Sequence, residues 1–316
     1  MKYLHYTLLL LFLVPFFAIG QTNPSQDQNY VRQISYQTEL DETQVVAINA
    51  ANSAVNNDKK IENIIYYDGL GRPKQSVAVR VGGSREDLVT PIQYDMLGRQ
   101  PKDWLPYPEL NNNGEFIVNV TTPLLGFYYY QFPESLHPYN NNPYSEKRFE
   151  ASPLNRVLEH GSPGEDWRIN PDLDTDHTIK FGYEFNSGSE VWNFYVNYEN
   201  GFNDPQLRLD GTYSVNTLSR NVTKDENWQP SDGATGTVVE FTNKQGQVLL
   251  KRQVAKDANN QSYNLDTYYI YDDFGNLTYV LSPEGSAQIV SNNQLIPGAQ
   301  IILDKLCYQY RYDHRN

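Results

Sequence analysis

A short polar hook recurs along this chain and limits its folding options more than any other feature. Its first copy is Tyr66-Tyr67-Asp68-Gly69-Leu70-Gly71-Arg72-Pro73, directly after Ile64 and Ile65. Apolar and aromatic residues of this kind favour an extended, half-buried strand. An Asp side chain bonds its own backbone two residues on and so starts a turn. The glycine three places later supplies a positive φ that other residues resist. After Arg72, Gln75, Val77 and Val79 point to one face of a returning strand. The hook therefore reads as strand end, tight loop and new strand.

The hook returns at Tyr94-Asp95-Met96-Leu97-Gly98-Arg99, 27 residues on from Gly71 to Gly98. It returns again at Tyr271-Asp272-Asp273-Phe274-Gly275-Asn276. A weaker copy runs from Phe241 through Asn243 and Gly246 to Val248, its glycine 29 residues before Gly275. Phe149 to Val157 is a degenerate copy with Asn155 in the glycine place. Tyr312-Asp313 opens a further copy, so the pattern is expected to continue. The residues on which the turns depend are Tyr67, Asp68, Gly71 and Arg72; Tyr94, Asp95, Gly98 and Arg99; Tyr271, Asp272, Gly275 and Asn276; and Tyr312 with Asp313. Self-similarity at a fixed period marks stacked structural units.

Tyr-Asp-x-Leu/Phe-Gly-Arg/Asn resembles the tyrosine-aspartate repeat of RHS proteins. The order of segments also resembles the N-terminal domain of unknown function that opens many secreted RHS-repeat proteins. Asn29-Tyr30-Val31, Tyr66 to Pro73, Tyr94 to Arg99 with Leu105-Pro106-Tyr107, Ser152 to Arg156, and Pro163-Gly164-Glu165-Asp166-Trp167 carry the likeness, over roughly residues 29–316. The resemblance implies hairpins that spiral into a large hollow shell. In relatives that shell encloses and delivers a C-terminal toxin.

Composition agrees with a β-rich chain. Aromatic residues make up 13% of it and 25 residues are Tyr, which suits a pleated, half-wet surface. Gly, Pro, Asn and Asp are spread along its length and leave little room for long helices. The expected fold is all-β: successive antiparallel hairpins forming an open curved sheet, or the start of an RHS-type spiral shell. The net charge of −13 argues against a nucleic-acid partner, which calls for a basic footprint. Cys307 is the single cysteine, so no internal disulfide is possible.

The first 20 residues read as a secretory signal peptide: Lys2, an apolar run from Leu8 to Phe17, and Ala18-Ile19-Gly20 before Gln21. The run is short for a membrane span. The chain is thus expected to be exported, to the cell surface, the medium or the periplasm, with no stable span after cleavage. Residues 21–200 are expected to form the opening β domain and residues 201–316 the later repeat strands.

Strands are expected over Asn29 to Glu39, with Val31, Ile34 and Tyr36 inward, and over Phe116 to Val120 and Leu124 to Tyr130. Val45 to Ile48 is either a short strand or part of a weak helix around Asn49 to Val55. Trp104 to Pro108 suggests an irregular loop on the sheet, and Pro133 to Pro143 a long surface loop. Thr178 to Phe185 and Glu190 to Tyr198 alternate and are expected to pair as a hairpin through Asn186-Ser187-Gly188-Ser189. Leu218 to Trp228 and four later segments continue the strands. A helix is expected over Ala299 to Leu306, after the break at Pro297-Gly298.

Catalytic patterns are sparse. His137, His160, His177 and His314 stand apart, without partners at metal-ligand spacing. Glu159-His160-Gly161-Ser162 reads as a turn rather than a hydrolase fragment. Asp172-Leu173-Asp174-Thr175-Asp176 starts like a calcium loop, but His177 and Tyr183 fill the places that need Gly and Glu. Neither cofactor nor metal is expected. Cys307 reads as a small buried hydrophobe. Arg72 and Arg99, each beside a repeat Asp, suggest a ladder of ion pairs between neighbouring hairpins. The expected role is structural and non-catalytic: the N-terminal part of a β shell, partnered by the remaining shell or a downstream toxin region. The alternative is a cell-surface adhesion or carbohydrate-binding module that uses the repeat faces for a glycan or protein.

Overall fold

The computed structural model describes residues 22–50, 59–132, 142–198 and 204–312. The expected signal peptide, most of the Pro133 to Pro143 loop, and Asp313 lie outside these residues. The chain forms two compact units, which divide between Pro143 and Tyr144. The change of character expected near residue 200 falls inside the second. The fold is all-β: antiparallel sheets with little helix, left open rather than closed into a barrel.

The first unit contains β1 (Asn29–Tyr36), α1 (Glu42–Ala50), β2 (Lys60–Tyr67), β3 (Pro73–Ala78), β4 (Asp87–Pro91), β5 (Lys102–Trp104), β6 (Tyr107–Glu109) and α2 (Thr121–Gln131). Its antiparallel sheet has the order β1-β2-β3-β4-β6. Along β2 the inward positions are Lys60, Glu62, Ile64 and Tyr66, every second residue. Ile64 and Tyr66 join Val77, Val89, Tyr107 and Leu124 in the core. On β1, Tyr30, Ile34 and Tyr36 are half-buried, but Val31 is 56% exposed, against the expectation. Of the two readings left open around Val45, the helix is found over Glu42–Ala50, and the rest of the expected helix, Ala51 to Val55, lies outside the described residues. Asp41 caps it: Gln44 N–H donates to Asp41 Oδ1, and Asp41 N–H donates to Gln44 Oε1.

Two expected strands in this unit are absent. Leu124 to Tyr130 lies in α2, because Leu124, Phe127 and Tyr128 share one helical face and pack on the core. Pro123 is compatible with a first helical turn. Phe116 to Val120 is irregular, because its backbone is satisfied by side chains instead of a ladder. Phe116 N–H donates to Ser25 Oγ, and the buried Gln75 amide bonds both Ile117 N–H and Ile117 C=O, at 2.9 and 3.1 Å.

The second unit contains β7 (Tyr144–Phe149), β8 (Val157–Gly161), β9 (Ile179–Phe185), β10 (Trp192–Asn197), β11 (Gln206–Thr212), β12 (Ser219–Lys224), β13 (Thr237–Thr242), β14 (Val248–Lys256), β15 (Ser262–Tyr271), β16 (Leu277–Leu281), α3 (Pro283–Ile289), β17 (Val290–Ser291), β18 (Gln294–Leu295), α4 (Ala299–Leu306) and β19 (Cys307–Gln309). Its main sheet runs β19-β16-β15-β14-β13-β12-β9-β8-β7. Val239, Phe241, Leu250, Tyr268, Ile270 and Leu281 form the centre of its core.

The expected hairpin through Asn186 to Ser189 does not form. β9 pairs with β8 and β12, while β10 pairs with β11 in a separate ribbon. Asn186 causes the parting. Its buried side chain accepts from Thr217 and Leu218 N–H and donates to Ser214 C=O, so it ties β9 to the approach to β12. At the end of the alternating stretch Phe185 is 64% exposed, whereas Lys180 is buried among Glu159, Asp176 and Thr178. Helix α4 spans the expected residues. The sequence reading missed α3, although Ser282 caps it by accepting from Gly285 N–H and Pro283 opens it.

The repeated turn as candidate functional site

The hooks at Asp68, Asp95, Asn243 and Asp272 are built from the same hydrogen bonds. In the first, between β2 and β3, Asp68 N–H donates to Arg72 C=O and Gly71 N–H donates to Asp68 C=O. Asp68 Oδ1 accepts from both Leu70 and Arg72 N–H at 2.9 Å. Gly71 has φ +77°, and the register shifts at Tyr66/Tyr67. This is a turn closed by a glycine bulge. The loop at Asp95 repeats the set with Leu97, Gly98 (φ +78°) and Arg99. So does Asp272 with Phe274, Gly275 (φ +86°) and Asn276. Asn243 does the same with Gln245, Gly246 and Gln247, its amide oxygen standing in for a carboxylate.

The structure adds a turn that the sequence reading missed. Between β14 and β15, Asp257 accepts from Asn259 and Gln261 N–H, and Asn260 holds the bulge at φ +64°. It lacks the Tyr and the Gly, the two signals that define the motif by eye. The surviving signal is an Asp three residues before an Asn able to adopt a left-handed conformation. In the degenerate copy between β7 and β8, Asn155 has φ +55°; Ser152 accepts from Leu154 N–H, and Glu150 takes the arginine. Tyr312 is 37% exposed and its hydroxyl donates to Leu277 C=O.

The spacing now has a geometric cause. Between Gly71 and Gly98 the chain crosses the sheet twice, on β3 and β4; between Gly246 and Gly275 it does so on β14 and β15. Each pair of turns therefore sits at one end of its sheet, about 10 Å apart across two strand spacings.

The ion pairs seen at these arginines lie within single turns. Arg72 pairs with Asp68 and Arg99 with Asp95, each within its own turn at 2.8 Å. Each of these two carboxylates takes two backbone donors and the side chain of its own turn's arginine. The backbone N–H of Arg72 is the largest influence that lowers the Asp68 pKa, and the N–H of Arg99 does the same for Asp95. The contact between turns is of another kind. The Arg72 guanidinium lies 4.4 Å from the centre of the Tyr94 ring. In the second unit the matching residue is Gln247, whose Nε2 reaches Gly275 C=O at 3.5 Å.

Beside the turns at Asn243 and Asp272 lies a cavity of about 170 Å³, lined by Trp192, Tyr195, Gln247, Tyr269, Tyr271 and Asp272 among others. Tyr271 is half-buried, and burial pushes its hydroxyl pKa up.

The remaining sequence candidates are held by neighbours. Glu159 is buried against Thr178 and Arg148, while the next residue, His160, belongs to the opposite strand face. Asp176 is tied to Lys180, and His177 Nδ1 lies 3.1 Å from Glu226 C=O. Cys307 is half-buried, which raises its thiol pKa. Among the described residues, no group of three or more His, Cys, Asp or Glu side chains gathers at metal-binding distance.

A family model described as a domain of unknown function, DUF6443, matches residues 39–185. No curated protein matches the chain. Among solved structures, TcdB2-TccC3 without its hypervariable C-terminal region has a TM-score of 0.41 at 12% identity, covering 74% of this chain and 9% of that one. TcdB2-TccC3 itself gives 0.40 at 12% identity, covering 74% of this chain and 10% of that one. The present chain thus spans about a tenth of the length of either.

Proposed function

We propose that this chain is a non-catalytic structural segment of an exported RHS-repeat protein, forming part of a β wall around a C-terminal toxin or effector. The repeated turn is the observation that supports it. Asp68, Asp95 and Asp272 each close their own loop, and Tyr67 and Tyr271 end the strands β2 and β15. The residues that carry the likeness to RHS proteins are therefore used to make strands return at regular intervals. Such a device suits extending a sheet. The open antiparallel order, with β19 at one edge, is compatible with addition of further hairpins.

The experiment is co-expression with the C-terminal repeat and toxin region encoded alongside, followed by electron microscopy and limited proteolysis. The wall reading expects a hollow particle that shields the toxin region from protease. A chain that stays a separate monomer and leaves that region unprotected would refute it.

A further inference from the structure

The two pairs of same-end turns are built alike but differ in charge. In the first unit, Arg72 leaves the turn at Asp68 and lays its guanidinium over Tyr94, the tyrosine of the next turn. A Cβ at Gly98 would stand 3.3 Å from Arg72 Nη1. In the second unit, Gln247 leaves the turn at Asn243 and heads for the turn that begins at Tyr271 and Asp272; a Cβ at Gly275 would stand 3.4 Å from its Nε2. The routes match, but Gln247 is neutral and shorter.

A second substitution removes the other cation. Arg99 neutralises Asp95, whereas the residue in its place after Asp272 is Asn276. Asp272 Oδ2 accepts from Asn276 Nδ2 at 3.2 Å and from the Tyr198 hydroxyl at 3.1 Å, and neither donor carries a positive charge. Both losses converge on one place. Gln247, Tyr271 and Asp272 all line the 170 Å³ cavity, together with Trp192, Tyr195 and Tyr269, and none of its lining residues is Lys or Arg. Electron-rich ring faces beside a carboxylate attract a cation, more strongly where water is partly excluded.

We propose that this cavity binds an alkylguanidinium ion, a ligand that restores the cation which Arg72 supplies in the first unit. The planar group takes the place over Tyr271 and shares the Asp272 carboxylate.

The test titrates the full-length chain with N-ethylguanidinium and with N-ethylurea, its neutral isostere, followed by NMR shifts of the tyrosine rings and by calorimetry. Ethylguanidinium is expected to bind with a dissociation constant of about 1–10 mM, and ethylurea at least about tenfold more weakly. Asp272→Asn keeps the turn, because Asn243 closes the same loop in this chain, and is expected to weaken binding about five- to tenfold. Gln247→Arg supplies the cation internally; it is expected to abolish binding while leaving the unfolding transition cooperative. Equal affinity for ethylguanidinium and ethylurea, binding that survives Gln247→Arg in a folded chain, or no binding of ethylguanidinium to the unmodified chain would each overturn the proposal.

Discussion

Replacing Gly98 by Ala separates the two things its turn does. Gly98 has φ +78°, where a residue with a Cβ is strained by about 1–2 kcal/mol. The new methyl also meets Arg72 Nη1 at 3.3 Å and pushes the guanidinium off Tyr94, at a cost of about 0.5–1 kcal/mol. Stiffening the unfolded chain returns about 0.5 kcal/mol. The net loss is about 1–2.5 kcal/mol, or about 2–10 °C in the midpoint of a domain of this size. Gly71→Ala is the internal control. Its φ is +77°, but nothing lies within 4 Å of its Cβ, so about 1 kcal/mol is expected. Gly98→Asn is the second control, because Asn155 and Asn260 occupy the equivalent place at φ +55° and +64°. It should cost less backbone strain than Ala. The assay is thermal and urea unfolding of the full chain, followed by tyrosine and tryptophan fluorescence. If Gly71→Ala costs as much as Gly98→Ala, or Asn costs as much as Ala, the reasoning fails.

Gln75→Leu keeps the volume but orphans Ile117 N–H and C=O; a loss of about 2–3 kcal/mol is expected by urea titration. Asn186→Leu removes the tie between β9 and the approach to β12 and should cost about 3 kcal/mol, with raised amide exchange at Thr217 and Leu218. Asn260→Gly relieves a left-handed asparagine and should be neutral to stabilising by about 0.5 kcal/mol, read as a raised midpoint. Acid should weaken the fold. Hydrogen bonds from the Arg156 side chain hold Glu150 at about 2, below its ordinary value, and Asp68 and Asp95 are also lowered. A folded-state pKa below the unfolded one gives stability that is present above the unfolded value and lost as pH falls through the folded one. Midpoints measured from pH 6 downward should therefore begin to drop near pH 4.5 and continue toward 2. Asp87 opposes this slightly, since burial raises it and its charged form is disfavoured in the folded state.

The turns were legible because their information is local. An Asp, a Gly and the strand ends on either side lie within eight residues, and the bonds at Asp68 and Arg72 join residues at most four apart. Long-range polar ties were not legible. Gln75 and Ile117 are 42 residues apart, and nothing in their sequence neighbourhoods marks that one side chain will serve the other's backbone. Phe116 to Val120 alternates as a strand should, yet the ladder partner it needed was supplied as an amide. Alternation from Thr178 to Phe185 misled in another way. The period was read correctly as extended, but Lys180 is drawn inward by Asp176 and Glu159, and Phe185 is left outside. Helix α2 hid behind its tyrosines, which favour strands; its three core contacts at helical spacing outweighed that preference.

What repeats in this chain is a way of returning, and what varies is the charge left at each return. Copies at the same end of a sheet lie two strands apart, close enough for the last residue of one turn to touch the first of the next, as Arg72 touches Tyr94. That contact costs the sequence one residue, and changing it leaves the turn's own bonds intact, since backbone atoms and the Asp or Asn side chain make most of them. The fifth position can therefore vary without unfolding the hairpin. Arg, Gln and Asn all occur there, at Arg72, Gln247 and Asn276. A sheet built this way can alter its surface chemistry turn by turn while its strand order stays fixed. The cavity beside Gln247 and Asp272 lies where the fifth residues are Gln247 and Asn276 and neither is a cation.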